Sequence, residues 1–168
     1  MMKQVISMNR KDIVLHLWDT TYDVEGWHPP LKDALENLDH EGALWRPHKD
    51  AHNIWELLNH LICYKDRFIC RLEDKSFEPD ITDNEQTFQR GIGTTEEEWQ
   101  GRVSHLAHIQ TVIRDKVSAL SDTDLDKPLP DAPIGGQMLS LASHDSYHTG
   151  QIMFLRKLQG LWPQKRDV

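Results

Sequence analysis

The chain has 168 residues, a length that fits one domain and can bury an extensive core. Its formal net charge of −8 argues against sequence-independent binding of nucleic acid, which requires clustered lysine and arginine. No apolar run approaches the roughly 20 residues of a membrane helix, and the first residues contain no apolar stretch of signal-peptide length. We therefore expect one domain over residues 1–168, located in the cytoplasm, with neither nucleic acid nor a membrane as partner.

The first half of the chain predicts two long helices with a shorter helical piece between them. Asn9 and Asp12 have the spacing of a helix N-cap, and apolar residues follow at helical spacing up to a break at Gly26. Two prolines then open a short piece over residues 29–38, because proline suits the first turn of a helix. A strongly amphipathic helix is predicted from about residue 50 to residue 73.

The second half predicts two more long helices, each preceded by a long loop. Residues 74–93 are predicted as a loop, after which Thr95 and Glu98 indicate the N-terminus of a helix that runs to about residue 120. Residues 121–136, with three prolines and a Gly-Gly pair, are predicted as a second loop before a last helix over 137–159. Since no segment alternates like a strand, the prediction is an all-α four-helix bundle with long inter-helix loops.

Two histidines near the end of the chain, His144 and His148 in "SHDSYHTGQI", lie four residues apart on the last predicted helix. The chain has ten histidines, so some pairs arise by chance, and His105 with His108 is predicted to face solvent. At 100° per residue, His144 and His148 share the stripe formed by apolar residues of the same helix, Leu141, Ile152 and Leu155. Two adjacent buried imidazoles need partners, which a metal ion or ordinary hydrogen bonds within the core would supply.

A metal site also needs a third ligand, preferably from a facing helix. His60, in "WELLNHLICYKDRF", lies at the edge of the apolar side of the second long helix. Together with His144 and His148 it completes a set of three ligands, which leaves a coordination position for water, as in catalytic sites. A competing set, His52-Glu56-His60, runs along one helix but points further from its apolar side.

Three stretches of the chain resemble the DinB-like family, in the same superfamily as metal-dependent hydrolases of the YfiT type. They are "WRP" at 45–47, "HNIWELLNHLICYKDRF" at 52–68 and "HDSYHTGQIMFLRKLQGLWP" at 144–163. This resemblance implies a four-helix bundle and, in many members, a homodimer. Relatives include thiol S-transferases that use bacillithiol, mycothiol or glutathione. The resemblance also implies a divalent metal ion held by three histidines, which map onto His60, His144 and His148.

The hypothesis that follows is a metal-dependent enzyme with a small-molecule substrate. A divalent cation, zinc or nickel, lowers the pKa of a bound water or thiol, which gives hydrolysis or S-transfer. The loops at 74–93 and 121–136 would form the mouth of the site. The alternative is a non-catalytic metal-binding or structural bundle, because no general base is identified. Asp145 lies toward the histidine face, either as a hydrogen-bond partner of the ligands or as a cap on another helix. Tyr64 and Gln151 flank the stripe, either to orient a substrate or simply as packing or surface residues.

Six tryptophans are many large aromatics for a bundle of this size. If some of them lie on an exposed face, a second copy of the chain would cover that face. Together with the resemblance, this predicts a homodimer.

Overall fold

The computed structural model describes residues 7–78 and 81–163, so two residues of the predicted loop at 74–93 lie outside it. Within the described residues the chain is all-α, with seven α-helices, one short 3-10 helix and no strand. The long helices are α1 (Arg10–Tyr22), α4 (Ile54–Leu72), α6 (Glu96–Ser118) and α7 (Ile134–Leu158). The predicted all-α bundle built on four long helices is confirmed.

Four shorter elements connect the long helices. Three are α-helices of five residues each, and the fourth is the 3-10 helix that precedes α7. They are α2 (Leu31–Leu35), α3 (His40–Leu44), α5 (Glu85–Gln89) and the 3-10 helix Asp122–Asp126. Only α2 was predicted, since the other three lack a periodic apolar face long enough to be recognised.

Three of the long helices have a capping box at their N-terminus. Side chain and backbone bond reciprocally between Asn9 and Asp12 at α1, and between Thr95 and Glu98 at α6, as predicted. A third capping box begins α4, where the Asn53 side chain accepts from the backbone N–H of Glu56 at 2.8 Å. This box places the start of α4 at Ile54, a few residues later than predicted.

Helix α7 begins earlier than the sequence predicted. The Gly-Gly pair was predicted to belong to a loop, but α7 starts at Ile134, with Pro133 as its N-cap, and contains both glycines. Gly135 packs against the 3-10 helix, where an added Cβ would lie 3.2 Å from Cβ of Leu125. The glycine therefore permits close packing of two helices and does not form a turn.

The bundle core is arranged so that α4 packs against α6 and α7, and α1 packs against the same two helices. Helices α4 and α7 are antiparallel, because Arg71 contacts Gln137 at one end and His60 lies beside His148 at the other. Trp18, Trp55 and Trp99 are buried in the core, whereas Trp27 is fully exposed. No helix in the described part of the chain is long and apolar enough to cross a membrane.

Candidate metal centre

The three preferred histidines converge between α4 and α7. Nε2 of His144 lies 2.9 Å from Nε2 of His60 and 3.0 Å from Nε2 of His148. His60 and His148 are buried, and His144 is half-buried. Two nitrogens that each bind one ion at about 2.1 Å lie at most about 4.2 Å apart, and both measured spacings satisfy this limit. The cluster is therefore compact enough to hold a metal ion.

The hydrogen bond at the outer nitrogen of His60 determines its tautomer. Nδ1 of His60 contacts Oγ1 of Thr87, whose single hydroxyl proton is donated to the carbonyl of Asn84 at 2.6 Å. The Thr87 oxygen can then only accept from His60, so Nδ1 carries the proton. The lone pair of Nε2 is consequently directed into the cluster, as a metal ligand requires.

His148 is oriented in the same way from the other helix. Its Nδ1 lies 2.7 Å from Oε1 of Gln151, an oxygen that can only accept a hydrogen bond. Nδ1 is therefore the protonated nitrogen, and Nε2 presents a lone pair to Nε2 of His144. One proton on Nε2 of His144 could be donated to only one of its two neighbours, so at least one buried acceptor nitrogen is left without a donor. A cation would satisfy all three lone pairs, and the donor set thus fits a divalent metal.

Aromatic rings fix the planes of these imidazoles. Phe88 is stacked between His52 and His60, with ring centroids 3.9 Å and 4.0 Å away. Tyr64 meets the rings of His60 and His144 edge-on, at 4.9 Å and 5.1 Å. The hydroxyl of Tyr64 lies outside the cluster and donates to Oδ1 of Asn84. Packing therefore restricts the rotamers before any ligand binds.

The same burial keeps the imidazoles neutral. Desolvation, followed by the charges of neighbouring histidines, lowers the pKa of His60 to about 3. Burial and the charge of His148 lower the pKa of His144 to about 4, and burial also lowers the pKa of His148. Neutral imidazole is the form that binds metal, so the cluster is in its ligating state at neutral pH.

The competing set His52-Glu56-His60 is not brought together as a metal site. Glu56 is held by two guanidinium nitrogens of Arg46 at 2.7 Å and 2.8 Å, and it also caps α4. Within the described residues, the only group of three metal-ligating side chains is His60, His144 and His148. Arg46, in the "WRP" stretch, thus stabilises the start of α4.

Asp145 does not face the histidines as a ligand partner. Its side chain is fully buried and forms an ion pair with Lys65, which is equally buried and lies 5.7 Å from the ring centroid of Trp18. Burial raises the pKa of Asp145, while the charge of Lys65 opposes that rise. Sequence reasoning missed Lys65, although its place four residues after Leu61 puts it on the apolar side of α4.

Helix α5 contributes two side chains that sequence reasoning also missed. Thr87 and Phe88 lie within the predicted loop at 74–93, yet both are buried against α4 beside the histidines. This part of the loop therefore forms a wall of the candidate site. Gln151, which the sequence suggested as a residue that orients a substrate or as packing, accepts a hydrogen bond from Nδ1 of His148 and holds that ring in place.

Comparison with known proteins identifies a family. A family model described as the DinB superfamily matches residues 30–152, more than half of the chain, and this range includes all three histidines. Searches of curated proteins and of solved structures each found no match.

Proposed function

The chain belongs to the DinB superfamily, and on that premise we propose that it is a metal-dependent enzyme in which a divalent ion activates a bound thiol or water for S-transfer or hydrolysis of a small molecule. The ligands are His60, His144 and His148. The observation that carries the proposal is the convergence of their Nε2 atoms, with the Nδ1 protons of two of them bonded outward. Three protein ligands leave a coordination position for a reactant.

The side chains around the histidines have distinct tasks in this proposal. Thr87 and Gln151 hold the imidazole tautomers, and Phe88 covers the α5 side of the cluster and excludes water there. Imidazole ligands suit zinc and nickel equally, and we propose one of these as the cofactor. A low-molecular-weight thiol, available in the cytoplasm, is the proposed co-substrate for S-transfer.

One observation favours the alternative of a non-catalytic metal-binding bundle. Asp145, the acid next to His144 in sequence, is engaged by Lys65 and is buried away from solvent. It is therefore not free to act as a general base. S-transfer from a thiol that loses its proton on binding the cation needs no such base, and this supports S-transfer over hydrolysis.

The test is elemental analysis of protein purified without a polyhistidine tag, followed by assays of thiol transfer. We expect about one zinc or nickel ion per chain, and loss of that ion in His148→Ala. The matched control is His108→Ala, since His108 is exposed on α6. Transfer of bacillithiol, mycothiol or glutathione to an electrophile should depend on the metal. Stoichiometric metal without any transfer or hydrolysis would favour a non-catalytic bundle with a structural metal. Absence of metal would contradict the metal-dependent enzyme and favour a purely structural bundle.

We also propose a homodimer. The support is the fully exposed indole of Trp27, together with exposed apolar side chains on α1 and α7, Ile13, Leu139, Phe154 and Leu158. Three of the six tryptophans, Trp18, Trp55 and Trp99, are buried in the core and need no partner, whereas Trp45 is exposed as well as Trp27.

A further inference from the structure

A second feature adjoins the histidine cluster, a pocket of about 380 Å³ between α4 and α7. His144 and Tyr64 line the end nearest the cluster, and Arg67 and Arg71 line the wall further along α4. Phe68 and Leu141 contribute apolar surface between these ends. The pocket therefore joins the candidate metal centre to two guanidinium groups.

The charge of this pocket is opposite to that of the whole chain. Its lining contains two arginines and no carboxylate, although the formal net charge is −8. Three arginines elsewhere on the described surface form ion pairs with carboxylates; for example, Arg10 bonds to Asp122 and Asp126. Such pairing is missing in the pocket, which concentrates positive potential where a ligand would enter.

Neither pocket arginine has an ion-pair partner in the described part of the chain. Arg67 forms no hydrogen bond there, and Arg71 donates one bond to Oε1 of Gln137 at 3.0 Å. Gln137 is itself held, because its Nε2 donates to the carbonyls of Leu129 and Ala132. Burial and the charge of Arg67 lower the pKa of Arg71, while Asp131, outside the pocket lining, acts in the opposite sense. An anion between the two guanidinium groups would relieve their mutual repulsion.

We propose that this pocket binds the substrate or thiol through a carboxylate, which Arg67 and Arg71 hold while the reacting end lies at His144. Planar guanidinium groups match carboxylates in geometry and charge. Arg67 and Arg71 follow His60 by seven and eleven residues, which correspond to about 10 Å and about 16 Å along the helix. The ligand is therefore an extended molecule of about 10 Å or more, with an apolar middle section against Phe68 and Leu141. The assignment of its reacting end rests on the proposed function; the carboxylate site does not.

The first arm of the test uses metal-free protein and octanoate, an acid of suitable length without a thiol. Calorimetric titration should show saturable binding that Arg67→Gln and Arg71→Gln each weaken by about tenfold or more, the loss expected for a charged hydrogen-bond partner. Arg67→Lys keeps the charge and should retain part of the affinity. Arg114→Gln is the matched control, because Arg114 pairs with Asp19 on another face of the bundle. Circular dichroism confirms that each variant is folded.

The comparison with 1-octanol decides whether the carboxylate matters. The alcohol should bind more weakly than octanoate, and the arginine substitutions should not change its affinity. The proposal is overturned if octanol binds as tightly as octanoate, if the Arg67 and Arg71 variants bind octanoate like wild type, or if octanoate does not bind.

The second arm tests whether the reacting end of the ligand lies at the metal. Protein loaded with cobalt(II) is titrated with 8-mercaptooctanoate, and the thiolate-to-cobalt charge-transfer band reports contact with the metal. This compound should bind more tightly than octanoate and more tightly than 3-mercaptopropionate, which is too short to reach both ends. If cobalt does not load but octanoate binds through the arginines, the proposed function fails and the carboxylate site stands. If cobalt loads and the arginine substitutions do not change octanoate binding, the carboxylate site fails and the proposed metal centre stands.

Discussion

Replacement of Thr87 by valine isolates the hydrogen bond that orients His60. The two side chains are close in size, so the substitution removes the hydroxyl and preserves most of the packing. Thr87 is 1% exposed, so water cannot replace the missing acceptor. Nδ1–H of His60 then either stays unsatisfied or moves to Nε2, where it occupies the lone pair that a metal needs.

The expected magnitude follows from that buried donor. A buried polar group that loses its partner costs about 1–3 kcal/mol, which corresponds to a reduction in metal affinity of about tenfold to a hundredfold. Substitutions of groups that hydrogen-bond to metal-ligating histidines have effects of the same order. The metal-free protein should also lose about 1 kcal/mol, since the carbonyl of Asn84 loses the hydroxyl that donates to it.

The assay is competition for zinc and for nickel against a chromophoric chelator of known affinity. Thr87→Ser is the control, because it keeps the hydroxyl and loses only a methyl group. Its affinity should stay within a few-fold of wild type. If Thr87→Val binds metal as tightly as wild type, the tautomer argument is wrong. If Thr87→Ser is as weak as Thr87→Val, the methyl contact and not the hydrogen bond sustains the site.

Four further outcomes are expected. His148→Ala abolishes stoichiometric metal binding but keeps α7 folded, because alanine favours helix, and a chelator removes most of the difference in melting temperature from wild type. In the metal-free protein, burial lowers the pKa of His60 to about 3. The unfolded state therefore binds more protons than the folded state from about pH 6.5 down to about 3, and the free energy of unfolding measured in urea falls as the pH falls through that window. His60→Gln should flatten this slope. Asp145→Asn lowers the free energy of unfolding by about 3–5 kcal/mol because it leaves a buried charge, whereas Lys65→Met combined with Asp145→Leu restores most of it in the same urea titrations. Light scattering at micromolar concentration gives twice 19.6 kDa for the homodimer, and a monomer mass would reject it.

The lowered pKa values of the histidines also predict the pH range in which acid releases the metal. An unperturbed imidazole pKa of about 6.5 would predict loss of metal just below neutrality. Burial lowers the pKa values of His60 and His144 well beneath that value, so protons compete less effectively for the ligand nitrogens. Metal should therefore be retained well below pH 6.5 in the folded protein.

The parts of this structure that were predictable depend on contacts between near neighbours. The capping boxes at Asn9 and Thr95 involve residues three apart, and the local sequence contains the whole interaction. Helical periodicity likewise placed His144 and His148 on one side of α7 with apolar residues. The choice between the two candidate sets that contain His60 was harder. It depends on which helix faces α4, and the sequence alone does not give this.

The parts that were missed depend on partners remote in sequence. Thr87 reaches His60 across 27 residues, and Lys65 meets Asp145 across 80 residues. Helix α5 has only five residues, too few for an apolar period to stand out from the surrounding loop. Gly135 was predicted to be a turn residue. The reason for a glycine there is the close contact with Leu125 of the 3-10 helix, which exists only in the folded chain.

The separation between His60 and His144 also has a kinetic consequence. These candidate ligands are 84 residues apart, and the whole of α6 lies between them in the chain. A nucleus that forms early in folding is dominated by contacts of shorter range, since closing so long a segment is entropically costly before other contacts reward it. We therefore expect the two helices that carry the candidate ligands to dock late in folding. A metal ion bound between them should then slow unfolding and leave the refolding rate nearly unchanged, so that it stabilises the finished bundle without directing its assembly.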